Sequence, residues 1–427
     1  LLEQFIDITL RKSGADQSQR ETFDYHNKTT LLAYIAGSMA RKNKYILDHE
    51  EMLDLMNEHI QRIEVNANTG DLFTEFLISK IFVLRQEQQV SFRYRCILEY
   101  FISLHMKKDL SFKEWIFDES RYLSYVNEIL YYAGIVRDDE YLMTLMSERF
   151  RVIVESLEDT EASEAAKKIE TLVLPGKSEN SDSIKSLSEQ LGENPLSERE
   201  RDEILDADLP KDAEDRQEVF RPQFERDDHK FFLCLILLSG LVKNLEEIPG
   251  EEKRYQLENV WSGWLIVMMQ ALLIVPDLAH KRRIRVNGVM YEINAPLGIS
   301  VEELTRQISL GVPIGVTQLI SEALGTEKLE RQLIEYKRQD VPEHLVFKFF
   351  RSSLVADLRL SQTANVINDA LRSFEGSRYL SEVMLRKVAL LRRLGKISED
   401  AHKKMAGTIA ESLARLGGHR GKELANK

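Results

Sequence analysis

The sequence predicts a mainly α-helical, multidomain chain interrupted by two short β-hairpins, and three observations predict it. Glycine and proline are sparse, at 20 and 9 of 427 residues, so little divides the chain into short strands and turns. Apolar residues recur at spacings of three and four, as at Leu31, Leu32, Ile35 and Met39, which is the period of a buried helix face. That period gives way to alternation in two places, each beside a polar turn. With 43% apolar content, a chain of this length can bury two or three cores, since single cores stop growing near about 250–300 residues.

The first region, 1–115, opens on LLEQFIDITL, an amphipathic pattern with no Met and no secretory signal, so the chain reads as a fragment. After the Leu31 to Met39 face, Asp48 with Glu50 and Glu51 reads as the capped, acidic start of a helix through Met52, Leu55, Met56, His59, Ile60 and Ile63. A helix from Leu72 is entered from Thr69-Gly70-Asp71. Ile81 to Leu84 and Val90 to Phe92 then flank Arg85-Gln86-Glu87-Gln88-Gln89 as a hairpin, and a further helix runs from Cys96 to Met106. Three helices closing onto a hairpin trace the outline of a winged helix.

Region 116–158 reads as helical hairpins beginning an array, with a break at Gly134 and a turn through Val136 to Asp139. Between Glu155 and Asp228 the chain holds 10 basic against 23 acidic residues, a net of −13. Residues 159–228, with Pro175-Gly176-Lys177-Ser178 and the run Glu193 to Asp215, are therefore expected to be an acidic linker or mobile insertion. Region 229–427 reads as a C-terminal helical domain. In it, Asn287-Gly288 divides Arg283 to Asn294 into a hairpin with a type I′ turn. From Arg378 to the end, 12 basic residues face 5 acidic ones, a basic tail of +7.

Several function classes find no support. A formal charge of −12 argues against a global nucleic-acid footprint, though not against local patches such as Arg282, Arg283, Arg392 and Arg393. Cys96 and Cys234 lie in apolar runs and suit a reducing cytoplasm rather than a disulfide framework. The apolar runs Phe231 to Val242 and Trp261 to Val275 are shorter than the ~20 residues a membrane span requires, so no membrane partner is expected. No complete phosphate-binding loop, metal-ligand spacing or nucleophile elbow occurs. Glu50/Glu51, Asp138/Asp139 and Glu302/Glu303 are better explained as solvated helix ends than as acid and base pairs. The chain therefore carries no catalytic or metal residues of its own.

The segment VSFRYRCILEYFISLHM, Val90 to Met106, places Arg93, Tyr94 and Arg95 at a strand-to-helix junction, where two guanidiniums and a phenol can reach an anion. It resembles the end of the winged-helix domain in NACHT-type STAND ATPases, where F-x-H-x-x-[FL]-x-E-[YF]-[FL] recurs. Phe92, Glu99, Tyr100 and Phe101 match it, with Ile97 an aliphatic variant. The likeness extends over about residues 1 to 150, Val126 to Met146 resembling the first helical repeat. It implies a regulatory and sensor part C-terminal to an NTPase core. ATP or ADP with Mg would be bound upstream, and ATPase activity would reside there. Its partners would be the chain's own NTPase domain, further copies on activation, and a protein or nucleic-acid trigger in antiviral or innate defence. In that family the motif His faces the β-phosphate of ADP. Tyr94 stands in its place, so Arg93 and Arg95 are the candidates for the missing charge. A helical scaffold binding protein partners and a winged-helix nucleic-acid binder are the alternatives.

Overall fold

The computed structural model describes residues 2–12, 23–85, 88–157, 162–174, 181–208, 227–286, 289–293, 295, 298–335 and 343–417. Two compact units emerge, one from Leu1–Asp139 with Pro210–Leu233 and the other from Glu140–Leu209 with Cys234–Lys427. Both are mainly helical, as the apolar period requires. Three expected turns or loops, at Gln86-Glu87, Asn287-Gly288 and Pro175 to Ser178, lie outside the described residues, as do 209–226 of the acidic stretch and 418–427 of the basic tail.

In the first unit α1 (Leu2–Lys12) buries Ile6 and Leu10, and α2 (Tyr25–Lys42) buries Leu31, Leu32, Ile35 and Met39. Asp24 caps α2 by accepting from the Asn27 amide at 2.8 Å. Asn43 ends it in the left-handed region, at φ 47°. There follow β1 (Leu47–Asp48), α3 (His49–Arg62), α4 (Thr69–Ile78), β2 (Phe82–Leu84) and β3 (Gln89–Phe92). At the start of α3 the Glu51 carboxylate accepts from the Asp48 amide at 3.2 Å, the expected acidic cap. The strands form an antiparallel sheet in the order β1-β3-β2, with Leu47 opposite Val90 and Phe82 opposite Phe92. Next come α5 (Arg95–Lys108), α6 (Leu110–Phe117), a 3-10 turn at Tyr122–Tyr125 and α7 (Val126–Val136). Helix α5 packs on both α2 and α7, which makes it the central helix of the unit.

The second unit begins with α8 (Glu140–Ser156). Within the acidic stretch lie α9 (Ala162–Glu170), α10 (Ser181–Gly192) and α11 (Glu198–Asp208). Small faces suffice to seat the first two: Ala165, Ala166 and Ile169 of α9 and Ile184, Leu187 and Leu191 of α10 are buried. Helix α12 (Asp227–Asn244) is divided between the units after Leu233, and α13 (Gly250–Lys281) follows. The two apolar runs of the sequence are in α12 and α13. By length and composition α13 could cross a membrane, and it is longer than its apolar run alone suggested. Trp261, Trp264, Leu265, Ile266 and Met268 are buried in the unit, with the Trp264 indole donating to Ser239 Oγ at 3.2 Å.

Strands β4 (Arg283–Val286) and β5 (Val289–Glu292) form the expected hairpin, Val286 opposite Val289. Helices α14 (Val301–Leu324), α15 (Glu330–Ile334), α16 (Leu345–Asp357), α17 (Thr363–Ser373), α18 (Arg378–Arg393) and α19 (Glu399–Gly417) complete the unit. Helix α14 packs against α13, and α17 and α18 each pack against both α16 and α19.

Candidate functional site

The junction at residues 92–95 is set by aromatic packing beneath it. Phe92 ends β3 with its ring 5.1 Å from Phe82 and 5.8 Å from Phe101 of α5. Phe73 and Phe76 of α4 approach the far side of Phe82, at 6.2 and 5.4 Å. Burial of such rings, edge-to-face in the Phe76–Phe82 and Phe82–Phe92 pairs, fixes where the strand must stop and the helix start. The Arg93 amide then donates to the Ile81 carbonyl at 2.8 Å, tying the end of β3 to the entry of β2.

The three predicted residues are brought together, each with a different role. Tyr94 is the extended N-cap of α5, and it is exposed. The Arg93 guanidinium lies 5.4 Å from the centre of the Tyr94 ring, and its Nε donates to the phenol oxygen at 3.2 Å. Arg95 donates from Nε to Glu99 Oε1 at 2.7 Å. Glu99 is buried, 4% exposed, and also accepts from Asn127 Nδ2 at 3.0 Å. Glu99, one of the motif positions in the sequence, is thus buried and bridges α5 to α7. The Arg95 charge is balanced by Glu99. Cys96, beside it, is half-buried, and burial followed by the Glu99 charge raises its thiol pKa.

Chemically the junction is a donor-rich turn at the positive end of a 14-residue helix. It can hold an oxyanion by hydrogen bonds.

A comparison with known families bears on this segment. Residues 45–102 match the family model described as Novel STAND NTPase 4. The STAND NTPase match runs from the approach to β1 into the first half of α5, so it encloses the sheet, α3, α4 and all three junction residues. No curated protein and no solved structure matches the chain significantly.

A polar cluster that the sequence did not reveal lies partly within the matched residues. His59 of α3 and His105 of α5 flank Tyr34, with ring centres 5.0 and 6.4 Å from it, and Arg62 covers the Tyr34 ring at 4.7 Å. Burial, followed for His59 by the Arg62 charge, lowers both histidines to about 4; at His105 the nearby Asp109 opposes the shift. A Cβ at Gly37 would come within 2.1 Å of the His105 ring, so that glycine makes room for the imidazole. Gly37 in a helical pattern was the available signal, but it could not name its neighbour.

The four arginines proposed for nucleic acid fall into two separate places. Arg282 caps α13 in the left-handed region, at φ 53°, and donates to the Ile299 carbonyl at 2.7 Å. Arg283, exposed, starts β4 opposite Glu292. Both line a hollow of about 580 Å³ with His280 and Lys281. Arg392 is buried, 7% exposed, and donates from Nη1 to the Leu191 carbonyl at 2.9 Å, capping the end of α10. Arg393 faces solvent beside it, its carbonyl accepting from the Leu196 amide at 2.9 Å.

Proposed function

We infer that this chain is the regulatory and sensor part of a NACHT-like STAND NTPase, acting in the cytoplasm in antiviral or innate defence signalling. In this reading residues 25–92 are a winged helix, built as helix, strand, two helices and two further strands. ATP or ADP with Mg is held by a core elsewhere in the polypeptide, and the winged helix leans on that core. Release of the contact lets copies oligomerise.

What supports the reading is a coincidence of place. The STAND NTPase match, residues 45–102, falls on a module whose strand order β1-β3-β2 closes directly onto the Arg93–Tyr94–Arg95 turn. The fit to a nucleotide phosphate is one of donors more than of net charge. Tyr94 supplies a neutral O–H, Arg93 a guanidinium positioned by the phenol, and Arg95 a guanidinium shared with Glu99. The nucleotide would bring the anion, and these side chains would orient it and hold the closed state.

A nucleic-acid role for the module is disfavoured by its own helix. In a winged helix the third helix enters the groove, and here α4, TGDLFTEFLI, carries Asp71 and Glu75 and no Lys or Arg. Glu75 is moreover taken up by Lys28 at 2.5 Å, both largely buried.

The test is the dissociation rate of a fluorescent ADP analogue from the natural full-length protein. Arg93→Ala is expected to accelerate release about tenfold, the equivalent of one charge-assisted hydrogen bond of about 1.4 kcal/mol. An unchanged rate with an intact fold removes the proposed contact.

A further inference from the structure

The second unit contains a half-open groove of about 430 Å³ between α8 and α13. Small-molecule sites commonly fall between about 300 and 1,000 Å³, apolar at the floor with a few placed polar groups. This groove has that construction. Its floor is Phe150, 4% exposed, with the buried Ile266 and the backbone of Gly263. A Cβ at Gly263 would meet Phe150 Cζ at 2.7 Å and Leu235 Cδ1 at 2.6 Å. The glycine therefore lets the aromatic ring lie directly on the helix.

One wall is a chain of polar groups along α13. Gln256, only 2% exposed, donates from Nε2 to Glu252 Oε1 at 2.7 Å and accepts from Asn259 Nδ2 at 3.0 Å. Asn259 Nδ2 also reaches Ser147 Oγ on α8, at 3.5 Å. The amide N–H groups are thus directed along the chain, which leaves acceptor oxygens of Glu252 and Asn259 outside it. Among the lining residues Glu148, Glu155 and Glu252 face a single guanidinium, Arg151, which pairs with Glu155 at 3.1 Å. Tyr255, 58% exposed, adds an aromatic face at the rim.

The geometry points to a binding site for a small organic cation: an ammonium or amidinium group on an apolar body. The body would lie on Phe150 and Ile266, while the charged head would donate to Glu252 and Asn259 under the field of the uncompensated carboxylates. An anion would meet repulsion there, and a neutral isostere would lose the charge-assisted bonds. The site stands on the second unit alone, so it survives or fails separately from the NTPase reading.

The test titrates the chain with three probes of similar shape by calorimetry: phenethylammonium, 2-phenylethanol and 3-phenylpropionate. Phenethylammonium is expected to bind about tenfold more tightly than the alcohol, with the carboxylate weakest. Glu148→Gln with Glu252→Gln should abolish that preference while the melting profile stays native. Equal binding of all three probes, absence of binding by the cation, or a cation preference that survives in a folded double variant would each overturn the proposal. Should the double variant not fold, the probe series on the unaltered chain still decides.

Discussion

In the first unit the buried His59 and the part-buried His105 are enclosed without charge, whereas in the second Lys387 with Asp357 and Glu382 with the part-buried Arg306 are enclosed as ion pairs. Burial holds both histidines near pKa 4, so at neutral pH they are packed as small aromatics against Tyr34. Asp357 and Lys387 instead meet at 2.8 Å with side chains 5% and 4% exposed, and Arg306 meets Glu382 at 2.7 Å. The first arrangement avoids the cost of a buried ion but depends on pH. The second is intolerant of losing one partner.

The largest effect should come from breaking a pair. Asp357→Asn leaves Lys387 buried opposite an amide, with burial already lowering its pKa. A loss of about 3–5 kcal/mol in urea unfolding is expected. Replacing both partners, Lys387→Met with Asp357→Leu, should recover most of it; a double variant as unstable as the single one would show that the pair is not what Asp357 contributes.

Next in size is acidification of the first unit. Both histidines titrate lower in the folded chain than the ordinary 6.5, so the unfolded state binds more protons between about pH 6.5 and pH 4. Their contribution is fully present above pH 6.5 and is lost as pH falls towards and through 4. Each is worth on the order of 3 kcal/mol at the acid limit. Peptide-resolved hydrogen exchange should therefore show protection in α3 and α5 falling across that window, and His59→Phe should flatten its pH dependence. Protection factors that stay unchanged between pH 6.5 and pH 4 would contradict the neutral-histidine account.

The same contrast explains how much could be read beforehand. Helix and hairpin positions follow from neighbours close in the chain, so the Asp48 cap, the Phe92 junction and the β4–β5 hairpin were visible as local patterns. The buried charges were not. Lys387 and Asp357 are 30 residues apart, and both sit in amphipathic runs where a charge ordinarily means solvent. Arg392 read as an exposed basic residue for the same reason, yet it closes the end of α10, 201 residues away along the chain. The candidate junction was legible because Arg93, Tyr94 and Arg95 are consecutive. The groove between α8 and α13 was not, because Phe150 and Gly263 meet only after the second unit folds.

The smallest effect separates local from long-range stabilisation most cleanly. Asn68 caps α4 in the first unit by accepting from the Gly70 amide at 2.9 Å, and Ser300 caps α14 in the second by accepting from the Glu303 amide at 3.1 Å. Each side chain satisfies a helix N–H that has no partner within its own helix. Because neither bond involves a buried ion or a titrating histidine, Asn68→Ala and Ser300→Ala should each cost about 1 kcal/mol. The two losses should be similar at pH 7 and at pH 5, measured by denaturant titration. A capping loss at Asn68 that grew on acidification would mean that α4 is coupled to the histidine cluster through α3, which it contacts directly, and the first unit would then respond to protons as one cooperative body.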